Sequence, residues 1–165
     1  MQSKSGCIFF CVYFLLHSCY YIFNPTTPTV NTHKATSRLI EKGILENTFK
    51  GGFIIEDTDM HELRAANLSL VGDNPYTVLV QAEELINFSV KARELVASEA
   101  FKGNNIAKAL LFQSLGQRII ANFYLKIHKP FIKTKLFSER EKALIWLRTE
   151  YHTYITENSL MISNP

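Results

Sequence analysis

Tyr76-Thr77-Val78-Leu79-Val80 is a β-branched, almost wholly apolar run. Without polar alternation, it reads as a strand covered on both faces. Asp73-Asn74-Pro75 turns the chain just before it. Downstream, Ser89 is placed to cap a helix from Val90 to about Ser98, and Ile106–Phe112 is a second buried-strand candidate. Ser114–Ile127 is the clearest helix. Ser114-Leu115-Gly116-Gln117 is a capping box. Leu115, Ile119, Phe123 and Ile127 recur every four residues, with Ile120 and Tyr124 widening a stripe expected to face the core. Pro130 ends that helix. Phe131–Phe137 alternates like a half-exposed edge strand. Ser138-Glu139-Arg140-Glu141 is a further capping box, opening a helix expected to bury Ala143, Trp146 and Leu147.

Upstream, Ala35–Ile40 and Ile44–Phe49 flank Gly43 as an antiparallel hairpin. Gly51-Gly52 is a breaker. Asp57-Thr58-Asp59 supplies N-cap candidates, with Glu62 in a capping-box position after Asp59. Met60, Leu63, Asn67, Leu70 and Val71 share one helical face, and Gly72 is a natural stop. The predicted order is β-β-α-β-α-β-α-β-α. Strands separated by helices pair in parallel through right-handed crossovers. The expected fold is α/β, a mixed sheet with an N-terminal hairpin and β-α repeats.

The composition agrees with one such domain. The 165 residues are 47% hydrophobic and 20% charged, and seven Gly and five Pro are too few for a fibrous or disordered chain. A net charge of +3, spread along the chain, does not call for nucleic acid. The five His stand far apart and no Cys lies near them, so neither a metal nor another cofactor is expected. All three Cys fall within the first 19 residues, leaving the rest without a disulfide framework.

Residues 1–34 read as an apolar extension and linker, 35–156 as the domain and 157–165 as a frayed tail. Cys7–Phe23 is an apolar and aromatic run near the lower length limit for a membrane span. Three readings fit it: translated sequence upstream of the true start, a membrane anchor, or a cleaved signal. Its richness in Cys, Phe and Tyr and its thin positive flank favour the first. Leu16-His17-Ser18-Cys19 only loosely matches a lipoprotein cleavage site. Pro25-Thr26-Thr27-Pro28-Thr29 is expected to be an extended, unpacked linker.

Ala92-Arg93, Ala109-Leu110-Leu111, Ser114, Arg118, Asn122-Phe123-Tyr124-Leu125, Lys129-Pro130, Lys135-Leu136-Phe137, Ala143 and Trp146-Leu147 form a spaced pattern. It resembles the small bacterial STAS/SEC14-like, SpoIIAA-like proteins found often in Bacteroidetes. The resemblance covers about residues 35 to 150 and is strongest from Arg93 to Leu147. It implies a compact cytoplasmic domain with no known catalysis. The better-known STAS relatives carry an Asp-Ser pair whose Ser is phosphorylated by a partner kinase. Asn87-Phe88-Ser89-Val90 lacks that Asp, and Ser89 is most simply a cap. Phosphate there would still sit at a helix N-terminus, which tolerates negative charge.

No Gly-x-Ser-x-Gly elbow, Walker loop or Gly-x-Gly-x-x-Gly occurs. Glu56, Asp57 and Asp59 are a cluster suited to capping, and no nucleophile, base and orienting group stand together in the sequence. The expectation is a non-enzymatic binding or regulatory module with a protein partner; the alternatives are a carrier of a lipid or small anionic ligand, or an anti-sigma-antagonist-like phospho-switch at Ser89. Membrane contact is expected only if residues 7–23 are an anchor. Ligands in open α/β sheets bind beyond the carboxyl ends of the strands. Two such ends lead to Ser89 and Ser114, each followed four residues on by an Arg, Arg93 and Arg118. Ser114, Arg118 and Asn122 also line up along one helix stripe that borders the apolar one. The candidate site is therefore Ser89, Arg93, Ser114, Arg118 and Asn122. For the last three, a cap and fold contacts are the alternative explanation.

Overall fold

The computed structural model describes residues 27–162; Cys7–Phe23, and with it the question of anchor, signal or start, lies outside them. Among the described residues there are eight strands: β1 Thr29–Asn31, β2 Ala35–Glu41, β3 Ile44–Phe49, β4 Ile54–Ile55, β5 Tyr76–Ala82, β6 Asn87–Phe88, β7 Asn105–Leu111 and β8 Lys133–Phe137. The helices among these residues are α1 Asp57–Val71, α2 Val90–Ala97, α3 Glu99–Lys102, α4 Leu115–His128 and α5 Arg140–Ile162. Six strands form one mixed sheet in the order β1-β2-β3-β5-β7-β8. The first two pairings are antiparallel, and β3, β5, β7 and β8 run parallel. The α/β class and the strand–helix alternation are those expected from the sequence.

The parallel part advances in one direction across the sheet. Right-handed crossovers therefore put α1, α2, α3 and α4 on one face, and α5 packs on the other, over β5, β7 and β8. β5 is covered on both sides, with Tyr76, Thr77, Val78 and Leu79 all buried. On the α5 face, Ile44, Leu79, Ala107 and Ala109 meet Ala143, Leu144 and Leu147. The small residues of β7 let that helix lie close. On the other face, Phe49, Ile55, Met60, Leu63, Ala92 and Val96 form a second cluster. Glu46 of β3, buried on the α5 face, is bonded by both Arg38 and Arg140, tying the hairpin to α5.

Several local expectations are corrected. The Pro/Thr stretch is not wholly an unpacked linker, since Thr29 begins β1 and lies opposite Arg38. The domain thus starts before residue 35. A small parallel sheet of β4 and β6, absent from the predicted order, links the loops after β3 and β5. The cap of α1 falls earlier than expected: the Asp59 carboxylate accepts from Glu56 N at 2.7 Å, making the reciprocal box Glu56/Asp59. α5 continues to Ile162, through residues expected to fray. Trp146 is only half-buried, tilted against Phe137 at 5.5 Å, while Ala143 and Leu147 are fully buried.

The largest correction concerns α4. Its span and its Ser114/Gln117 capping box are as predicted, but its apolar stripe does not face the core. Leu115 is 70% exposed, Phe123 66%, Ile119 61% and Ile127 56%. Gln117 and Ala121 are turned inward instead. Periodicity identifies an apolar face but not what covers it.

Candidate ligand-binding site

α4 brings Gln117 and Ala121 to this space, with Leu125 half-buried one turn on, and α2 is only two turns long. Space is left between them, and a cavity of about 230 Å³ lies on this face of the sheet. Its walls are mainly apolar: Phe49, Met60, Leu63, Val78, Val80 and Phe101 contribute. The rim holds Leu85 and Phe88 after β5 with Phe112 and Gln117 after β7. The rim thus lies beyond the carboxyl ends of parallel strands, as open α/β sheets favour. Gln117 Nε2 donates to the Glu84 carbonyl at 3.3 Å, stitching the two loops together.

Polar groups enter this apolar space at a few points. Asn47 on β3 and Asn105 at the start of β7 are 4% and 6% exposed, and each leaves a buried Oδ1 without a hydrogen bond. Arg93, in the first turn of α2, likewise keeps a buried, unbonded Nε. Lys108 stands in the middle of β7, and desolvation lowers its pKa to about 8. Asn67 and Tyr76 also line the cavity but are engaged elsewhere: Asn67 Oδ1 accepts from Ser37 Oγ at 2.7 Å. Burial pushes the Tyr76 hydroxyl pKa up. Arg64 Nη1 donates to the Ala100 carbonyl at 3.2 Å, and its guanidinium lies over Phe101.

The five residues singled out from sequence do not form one site. Arg93 reaches the cavity. Ser89 caps α2, its Oγ accepting from Ala92 N at 3.2 Å, and Ser114 caps α4 by accepting from Gln117 N at 3.2 Å. Arg118 and Asn122 are exposed, outside the cavity lining; the Arg118 guanidinium lies 5.6 Å from the centre of the Phe112 ring. The fold-contact expectation for Arg118 and Asn122, a buried hydrogen bond, does not match this exposure. Sequence reasoning missed Asn47, Asn105 and Lys108. The one available signal was polarity inside buried runs: a lysine between Ala107 and Ala109, and Asn47 between buried positions of β3.

Among the described residues no group of three or more His, Cys, Asp or Glu comes together, and no helix is long and apolar enough to cross a membrane.

Residues 38–151, more than half of the chain, match the model of a family described as a domain of unknown function, DUF7793. The chain belongs to that family. No curated protein matches it.

Proposed function

We propose that this member of the DUF7793 family acts by binding rather than by turnover. Its cavity holds a small amphipathic anion, a carboxylate or phosphate monoester on a short apolar tail. One observation carries the reading: Asn47, Arg93 and Asn105 each keep a buried polar atom unpaired, and all three open with Lys108 onto one apolar cavity. Buried polar groups are normally hydrogen-bonded, and an apolar pocket with a few convergent polar groups is the usual form of a small-molecule site. Arg93 and Lys108 supply positive charge for an anionic head, and the two amides supply both donors and acceptors.

Size narrows the ligand. A dry cavity of about 150 Å³ admits benzene. By that scale the cavity of about 230 Å³ takes roughly nine or ten non-hydrogen atoms. Among the described residues the lining contains no Ser, Thr, Cys, His or Asp, and its one Lys, Lys108, serves this reading as a cation for the anionic head. The resemblance of residues 93–147 to STAS/SEC14-like domains supports the same class of role, in the cytoplasm.

Thermal denaturation of the full chain with octanoate or 1-octanol tests this. Octanoate should raise the melting temperature in a dose-dependent manner, as any ligand of the folded state does, and octanol should do so much less. Arg93→Met should abolish the octanoate response while leaving a cooperative melt. Equal responses to the two probes, or none to octanoate, would overturn the reading.

A further inference from the structure

We propose that α4 seats on an anionic lipid surface through its exposed apolar stripe. This rests on observations separate from the cavity reading. Leu115, Ile119, Phe123 and Ile127 recur on one side of the helix and stand more than half exposed. Ile120, at the cavity rim, is 45% exposed on the same side, and Phe131, just past the helix, is 51% exposed. Isolated exposed apolar residues are ordinary, but a contiguous stripe of this kind marks an interaction surface.

Charge selects what covers it. From Ala100 to Ser138 the chain has seven Lys and Arg and no Asp or Glu. Not all of these cations serve the surface: Lys108 is in the cavity, and Lys133 pairs with Glu150 toward α5. Those beside the stripe do. Arg118, Asn122, Lys126 and Lys129 follow one another at spacings of four, four and three, so they line one flank of it. All four are exposed. Lys102 lies over the Phe131 ring at 5.4 Å, extending the basic border past the end of the helix. An apolar face bordered by Lys and Arg is the pattern of a helix lying in a membrane interface, where the cations meet anionic headgroups. A second copy of the chain fits less well, because its own stripe would bring the same positive border against this one.

Co-sedimentation of the full chain with vesicles tests the proposal. The vesicles are phosphatidylcholine alone, or phosphatidylcholine with one part in three phosphatidylglycerol. The chain should bind the phosphatidylglycerol vesicles and release as salt rises. The exposed double variant Ile119→Ser, Phe123→Ser should weaken binding by about tenfold or more. The charge-reversal variant Arg118→Glu, Lys126→Glu should do the same. An unchanged far-ultraviolet circular dichroism spectrum establishes that each variant is folded. Equal binding to both vesicle types would overturn the proposal. So would wild-type binding by both variants, which would assign attachment elsewhere in the chain, such as Cys7–Phe23. Failure to bind vesicles together with self-association abolished by Phe123→Ser would assign the stripe to a second copy.

Discussion

Lys108 occupies a position where an aliphatic residue would satisfy the fold. Its neighbours Ala107 and Ala109 are fully buried against α5, while Lys108 faces the cavity, its pKa lowered by desolvation to about 8. An unfolded lysine titrates near 10.4. Between about pH 8 and that value, the unfolded chain binds a proton that the folded chain releases. Stability therefore rises with pH across this window, and below it the whole cost of keeping Lys108 charged in the fold is present. Lys108→Met should recover part of this, raising stability by about 1–3 kcal/mol at neutral pH. The same change should weaken octanoate binding. Urea denaturation measures the first effect. A variant less stable than wild type would make Lys108 a structural residue and remove it from the site. Its presence inside a buried-strand run was visible in the sequence. Its convergence with Asn47, Asn105 and Arg93 was not, because those residues come from β3, β7 and α2 and meet only through the topology.

At the scale of elements, the strands and helices were legible where short-range chemistry sets them. The hairpin turn is one such place. Gly43 has φ +74°, and a Cβ there would collide with the Tyr151 ring of α5. Gly43→Ala should therefore destabilise by about 2 kcal/mol or more, since both the backbone and the packing oppose it. Chemical denaturation checks this, and an unchanged midpoint would mean the hairpin and α5 are not packed as described. α4 shows the limit of local reading. Its length, cap and period could be read directly, and its facing could not. The helix half-buries Gln117, Ala121 and Leu125 and leaves its other described large apolar residues exposed, and the sheet face beneath is shared with the cavity. The two-residue strands β4 and β6 were equally illegible, since a pair so short has no periodicity to detect.

For the whole molecule, the strand order follows from the alternation of elements and the handedness of crossovers. One-directional progression also explains why the cavity exists where it does. Four helices of unequal length cover one face, and the shortest leave room over the centre of β7, whereas one long helix covers the other face. The central claim is that this room holds an anion met by positive charge. Calorimetric titration of octanoate into the full chain, near pH 7 and again near pH 9.5, addresses it directly. These conditions bracket the Lys108 pKa of about 8, while a carboxylate ligand stays ionised at both. The account predicts one binding site whose affinity falls by about tenfold as Lys108 loses its proton. Absence of binding at both conditions, or the same affinity at both, would contradict it.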